Sequence, residues 1–245
     1  MRIGTLFSGG LGAPEQALKQ MCVEHENVFA CELDKFARIN YEANHHVPDG
    51  HFHKDINDMD GKQYAGNVDI IAGGSPCQDF SIAGLRAGVD GHRGQLIWQY
   101  FRIIDEVRPP VFIYENVKGM ISDNGGRTLK DFLEVFRSIG YHCHAEVLNT
   151  KDYGVPQNRE RIYIVGFLNH DHYHRFEYAP KMKLEKRLKD ILESVVDEKY
   201  YLSKKMIAWL EKAKRSTKNG NKDTEVSPCI LAGYHKTHTD GFYLK

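Results

Sequence analysis

Long apolar runs are missing from this 245-residue chain: no stretch approaches the ~18 apolar residues of a membrane-spanning helix. An excess of one charge is missing too. Lys and Arg together number 33, and so do Asp and Glu, so the whole-chain field selects no nucleic acid, membrane or acidic substrate. A nucleic-acid reader with this balance needs a local basic face. The five cysteines (Cys22, Cys31, Cys77, Cys143, Cys229) form no CxxC pair, which argues against a disulfide framework or a cysteine zinc site. Internal repeats are also lacking. Met1-Arg2 leads straight into a strand-like segment, so the reading expects no signal peptide and a cytosolic protein with reduced thiols. The length suffices for one substantial core, or one core plus a smaller appendage.

What is present is an alternation of short apolar runs and helical periodicities. Arg2 to Phe7 reads as a strand ending in Ser8-Gly9-Gly10-Leu11-Gly12-Ala13-Pro14, and from Glu15 the residues Ala17, Leu18 and Met21 recur at helical spacing. Asn27 to Cys31 is a second strand with Glu32 at its end, Lys35 to Ala43 a helix, and His51 to Ile56 a short third strand ending near Asp55. His45, His46, His51 and His53 have no carboxylate or cysteine at ligand spacing and read as a surface loop, with no metal site. Val68 to Ala72 is a buried strand, Gln95 to Val107 a helix closed by Pro109-Pro110, Val111 to Tyr114 the next strand, and Thr128 to Ile139 a helix capped by Gly140. This alternation specifies a doubly wound parallel α/β sheet. Tyr141 to Asn149 and Arg161 to Phe167 follow without an intervening helix, which predicts an antiparallel edge hairpin. Beyond it, Leu188 to Val196 and Lys204 to Lys214 read as helices and Ser216 to Glu225 as a polar linker.

The chain is organised around Gly73-Gly74-Ser75-Pro76-Cys77-Gln78. Two glycines and a proline force the backbone out of the strand in a tight turn. That places Cys77 at the carboxyl end of a parallel strand, where α/β sheets open their ligand crevices. Locally Cys77 reads equally as a buried small hydrophobe or as a nucleophile. The glycine-rich turn after the first strand lets backbone N–H groups approach a ligand, and Glu32, about 20 residues on, suits ribose hydroxyls. The polar stretch from Asp79 to Arg93 is long for a bare connection and reads as a functional loop.

Taken in order, these residues resemble the cytosine-5 DNA methyltransferases. Ser75-Pro76-Cys77-Gln78 resembles the family's nucleophile motif, Glu115-Asn116-Val117 its Glu-Asn-Val motif, and Gln157-Asn158-Arg159-Glu160-Arg161 its Gln-x-Arg-x-Arg motif. Phe7, Ser8, Gly9, Gly10 and Gly12 are similar to its cofactor loop. The resemblance implies a Rossmann-like methyltransferase sheet that binds S-adenosylmethionine, with Glu32 and Leu33 at the ribose, Asp55 and Ile56 at the adenine, and Pro76 and Leu96 against the cofactor. It implies Cys77, Glu115, Arg159 and Arg161 as the catalytic residues. Gln78, Ser81, Arg86, Arg93, Asn116 and Val117 would contact the substrate, double-stranded DNA with the target base flipped out. The implied setting is a bacterial cell or phage, with DNA methylation of the restriction–modification kind.

The implied chemistry needs these residue types. Cytosine C5 is a poor nucleophile until a thiolate adds at C6, and Cys77 supplies it only in positive surroundings. Glu115 serves N3, and Arg161 with Arg159 holds O2 and the charge that develops there. No metal is required. Two departures stand out. Leu11 occupies a position where the family usually has glycine, so the loop either carries an insertion or takes a different path. The family also continues through a target-recognition domain into two further motifs, whereas here only the stretches 199–203 and 227–234 resemble the entry to that domain. The expected division is residues 1–175 as the cofactor-binding catalytic domain and 176–245 as the start of an incomplete recognition region. Three readings remain open: a DNA methyltransferase, a tRNA methyltransferase, and a non-catalytic remnant or subunit that needs a second polypeptide.

Overall fold

Short apolar runs bounded by glycine and polar turns become the strands of the computed structural model, which describes residues 1–76, 96–201, 203–205, 208 and 225–229. The strands are β1 (Arg2–Leu6), β2 (Glu26–Cys31), β3 (Phe52–His53), β4 (Ile70–Gly73), β5 (Val111–Val117), β6 (His142–Asn149), β7 (Gln157–Asn158), β8 (Glu160–Phe167) and β9 (Ser227–Pro228). The helices are α1 (Ala13–Gln20), α2 (Lys35–Asn44), α3 (Leu96–Val107), α4 (Arg127–Ser138) and α5 (His170–Arg175). Seven strands form one sheet in the order β3-β2-β1-β4-β5-β8-β6. The first five pair in parallel and β8 runs antiparallel to β5. β6 and β8 are neighbours at the edge, where the hairpin is expected.

The order reverses between β1 and β4. Strands to one side proceed β1, β2, β3, and to the other β4, β5. Crossover connections leave in opposite directions there, so a crevice opens outside the carboxyl ends of β1 and β4. The Phe7–Gly12 loop follows β1, and the Gly74-Ser75-Pro76 turn follows β4.

The core lies against the sheet's centre. Leu6, Ile71, Phe112 and Tyr114 from the strands are fully buried with Tyr100, Ile103, Ile104 and Val107 of α3, and Phe132 and Phe136 of α4 pack among them. The rings interlock, with centroids 4.8 Å apart for Tyr100–Tyr114, 4.6 Å for Tyr114–Phe132 and 4.4 Å for Phe112–Phe136. Pairs of this kind add about 0.5–1.5 kcal/mol each beyond area burial. They also fix which way β5 faces. Side chains alternate along a strand, so burying Phe112, Tyr114 and Asn116 sends Glu115 and Val117 to the opposite face.

By packing density the chain forms two compact units. One is Met1–Val147 with Arg161–Glu177, and the other is Leu148–Glu160 with the described residues from Tyr178 onward. In the second unit β7 and β9 pair in parallel, Gln157 beside Ser227.

Three expectations need correction. The third strand is only two residues long, because Asp55 caps a 3₁₀ turn over Ile56–Asp58 instead of extending the ladder. The helix predicted over Leu188 to Val196 is a single 3₁₀ turn, Leu188–Ile191. Only Leu188 is buried there, while Ile191, Leu192 and Val195 are exposed, so no packed face sustains a longer helix. His45 is no surface-loop residue: it is buried at the carboxyl end of α2 and bonded to Leu11 O at 2.8 Å. Most of the predicted helix from Lys204 to Lys214 and of the apolar stretch from Ser227 lies outside the described residues.

Candidate active site

The turn after β4 exists because two side chains are absent from it. A Cβ on Gly73 would overlap the Leu6 carbonyl oxygen, and one on Gly74 would overlap that of Glu115. Backbone atoms cannot yield, so only glycine lets the turn run this close to its neighbours. Ser75, 6% exposed, then turns inward, and its hydroxyl shares a hydrogen bond of 2.7 Å with Tyr114 Oη. Asn116, 3% exposed, donates from Nδ2 to Ser75 O at 3.1 Å and to Tyr114 Oη at 2.8 Å. Its Oδ1 accepts the Val117 N–H at 2.7 Å. Burial pushes the Tyr114 phenol up to about 12, against the pull of the bonds from Ser75 and Asn116. It therefore keeps its proton and accepts from Asn116, while either hydroxyl can donate in the bond with Ser75. Three buried polar side chains thus pin the backbone that leads out of β4. Asn116 and Val117 were expected against the substrate; the Asn116 amide is committed to this turn.

On the other face of β5, Glu115 meets Arg161. The register sets Val117 opposite Arg161 and Glu115 opposite Tyr163, so the two charged residues are diagonal neighbours on one face. Arg161 Nε lies 3.0 Å from Glu115 Oε1, with the side chains 18% and 33% exposed. Glu115 Oε2 lies 3.3 Å from the position a Gly74 Cβ would take, which brings the pair against the start of the Ser75-Pro76 turn. Arg159 falls in the second unit, where its Nη1 donates to Cys229 Sγ at 3.8 Å. Cys77, Gln78, Ser81, Arg86 and Arg93 lie outside the described residues.

The loop after β1 is held in an uncommon shape. Phe7, Gly9 and Gly12 all have positive φ, at 55°, 63° and 60°. The left-handed conformation costs a non-glycine residue such as Phe7 roughly 1–2 kcal/mol. Ser8 donates its N–H to Cys31 O at 3.0 Å and accepts the Cys31 N–H on Oγ at 3.2 Å, tying the loop to β2. Glu32 spans the next gap: Oε2 accepts the Gly9 N–H and Oε1 the Asp34 N–H, both at 2.9 Å. Asn40 donates to Gly10 O at 2.8 Å. The Leu11 side chain is 68% exposed. Asp55 Oδ1 accepts from the backbone and the amide of Asn57; Ile56 is buried, Leu33 exposed, and Leu96 packs half-buried against the core.

S-adenosylmethionine fits these residues. Gly9 faces open space, with nothing within 4 Å of a Cβ position. Each Glu32 oxygen keeps capacity for a further donor, such as a ribose hydroxyl. Burial first, then the charges of Asp55 and Glu32, push the nearby Cys31 thiol up to about 12 against the opposing pull of Arg102 and Arg38. Among the described residues no group of three or more His, Cys, Asp or Glu side chains is arranged to hold a metal ion, and no helix is long and apolar enough to cross a membrane.

Two groups escaped the sequence reading: Tyr114 with Ser75, and a buried cluster of Glu15, Tyr41 and His45. The alternation in β5 could have flagged Tyr114 as inward. Nothing in the spacing pairs Glu15 with Tyr41.

Comparison with known proteins agrees with this geometry. The chain is 38% identical over 246 aligned positions to the orphan methyltransferase M.Rho11sI of Bacillus phage rho11s, covering 87% of this chain and 48% of that protein. It is 40% identical over 224 positions to the type II methyltransferase M1.ScrFI of Lactococcus lactis subsp. cremoris, covering 86% and 56%. It thus spans about half the length of these relatives. The Entamoeba histolytica methyltransferase EhMeth shares the fold with a TM-score of 0.76 at 17% identity, over 99% of this chain and 75% of that one. The S. pombe Dnmt2 methyltransferase does so with a TM-score of 0.69 at 23% identity, over 96% and 72%. The family model described as C-5 cytosine-specific DNA methylase matches residues 1–242. With its Rossmann-like sheet and its motifs in order, the chain belongs to the C-5 cytosine-specific DNA methylases.

Proposed function

We propose that this chain carries the catalytic portion of a DNA cytosine-5 methyltransferase that uses S-adenosylmethionine. The observation that supports this most is the Glu115–Arg161 pair, closed at 3.0 Å and set against the turn that leads into Cys77. N3 and O2 are adjacent acceptor sites on the cytosine ring, and a carboxyl group beside a guanidinium is a matched pair of groups for them. Cys77 Sγ adds to C6 of the flipped base, and the ring's electrons move toward C5. Glu115 holds a proton at N3, and Arg161 stabilises the charge developing on O2. Bound S-adenosylmethionine would supply an electrophilic methyl group for C5, its S–CH3 bond breaking to leave a neutral thioether. Loss of the C5 proton restores the double bond and breaks the Sγ–C6 bond, freeing Cys77.

Phe7, Ser8, Gly9, Gly10, Gly12, Glu32, Leu33, Asp55, Ile56, Pro76 and Leu96 are the residues we assign to the cofactor. Gln78, Ser81, Arg86, Arg93 and Val117 are assigned to DNA, and Asn116 to holding the nucleophile's turn. Arg159, the first arginine of the Gln-x-Arg-x-Arg motif, is assigned to the substrate on the sequence resemblance alone. Residues from 176 onward are assigned to the beginning of the recognition region.

The test is a duplex of random sequence in which 5-fluorocytosine replaces cytosine. Fluorine cannot leave C5 as a proton does, so methyl transfer traps the Sγ–C6 bond. A complex that survives denaturation, requires S-adenosylmethionine and is lost in Cys77→Ser is the expected result. Absence of a complex from the unaltered chain, or its persistence in Cys77→Ser, overturns the reading. Trapping on fluorinated tRNA alone changes the substrate.

A further inference from the structure

The buried cluster between α1, α2 and the loop after β1 is not used by the chemistry above. Glu15 and Tyr41 are fully buried, and Thr5 is 1% exposed. Tyr41 Oη donates to Glu15 Oε1. That uses the phenol's one proton, so toward Thr5 Oγ1, 3.4 Å away, Tyr41 can only accept. Thr5 Oγ1 also shares a hydrogen bond of 2.8 Å with Ser8 Oγ, in which either hydroxyl can donate. The Ser8 proton has three acceptors in reach, and this is the shortest; Cys31 O and Thr5 O lie at 3.2 and 3.3 Å. The Cys31 N–H in turn donates to Ser8 Oγ. A continuous line of hydrogen bonds thus runs from Cys31 through Ser8, Thr5 and Tyr41 to Glu15.

The chain of hydroxyls ends on the residue that follows the strained Phe7. Backbone strain of that kind persists only where the surroundings over-determine it. A second buried link reaches the same loop: His45 Nε2 bonds Leu11 O at 2.8 Å, and a Cβ on Gly12 would crowd both His45 Nε2 and Glu15 Oε2. Glu15 Oε2 itself is buried with no hydrogen-bond partner among the described residues. A buried carboxyl oxygen left without a partner is costly for packing alone.

We propose that Glu15, Tyr41 and Thr5 are positioning residues: a hydrogen-bond relay from Glu15 fixes Ser8 and with it the loop Phe7–Gly12 in the form that binds S-adenosylmethionine. The purpose rests on the cofactor reading above; the relay does not. Two measurements on the full chain separate them. In the free protein, Tyr41→Phe and Thr5→Val should each speed hydrogen exchange of the Ser8 and Gly9 amides at least fivefold, with the exchange of β5 unchanged. In cofactor titrations each should raise the S-adenosylmethionine Kd about tenfold, equivalent to about 1.4 kcal/mol. The double variant should be no weaker than either single one, because a broken relay cannot be broken twice. Additive losses, or unchanged affinity beside normal binding by the unaltered chain, overturn the proposal. If the unaltered chain binds no S-adenosylmethionine, the cofactor reading fails, and hydrogen exchange alone judges the relay: unchanged Ser8 and Gly9 overturn it. Should Tyr41→Phe not fold, Thr5→Val and Glu15→Gln carry both measurements.

Discussion

Replacing Tyr114 by Phe removes one oxygen from the interior and leaves the ring in place. The ring's contacts with Tyr100 and Phe132 survive, so no cavity term enters. Two hydrogen bonds disappear, the one between Tyr114 Oη and Ser75 Oγ at 2.7 Å and the one from Asn116 Nδ2 to Tyr114 Oη at 2.8 Å. Asn116 keeps its bond to Ser75 O, whereas the Ser75 hydroxyl, buried at 6% exposure, loses its partner. Leaving one buried polar group unmet costs about 1–3 kcal/mol. For a chain of this size 1 kcal/mol moves Tm by roughly 2–4 °C, so a 2 kcal/mol loss lowers Tm by about 4–8 °C. Thermal unfolding followed by circular dichroism measures this, with Ser75→Ala and the double variant closing a cycle. The coupling between the two positions should exceed about 0.5 kcal/mol. A Tm drop below ~1 °C, or strictly additive single losses, would refute the idea that these hydroxyls hold the turn.

Other consequences follow from the same contacts. Gly74→Ala drives a methyl group into the Glu115 carbonyl and should cost about 3 kcal/mol, visible as a lowered urea midpoint. Arg161→Lys keeps a charge but loses the fixed geometry at Glu115; turnover on DNA should fall about 100-fold with little change in S-adenosylmethionine affinity. Hydrogen bonds from the Arg2 guanidinium and the Arg2 N–H hold the Asp69 carboxyl below its ordinary range. Its contribution is thus complete above the ordinary carboxylate value of about 3.9 and is lost as pH falls through the lower folded value. Asp69→Asn should flatten that acid limb of stability, by well under 1 kcal/mol because both partners are about 40% exposed.

How far the sequence spoke depended on whether a feature is local. The glycine-proline break at 73–76 is a backbone requirement, and it sits where the contacts of Gly73 and Gly74 demand it. The alternation Val111 to Val117 carries the facing of Glu115 within itself. Phe7 reads as strand, yet its φ of 55° ends β1 at Leu6, because only tertiary ties to Cys31 and Glu32 make that shape tenable. In α2 the apolar Phe36 and Ile39 are 77% and 54% exposed while Tyr41 is buried. Hydrophobic periodicity points the wrong way there, since a phenol bonded to Glu15 occupies the inner face. The short β3 and the single turn at Leu188 have separate causes: Asp55 caps a 3₁₀ turn that ends the strand, and no buried face sustains a longer helix after Leu188.

The most direct test is to express this chain, and separately its Cys77→Ser form, in cells that lack cytosine methylation, and then to map 5-methylcytosine across their DNA. The account predicts 5-methylcytosine with the unaltered chain and none with Cys77→Ser. Methylation that persists in Cys77→Ser, or a blank map from the unaltered chain, would contradict it.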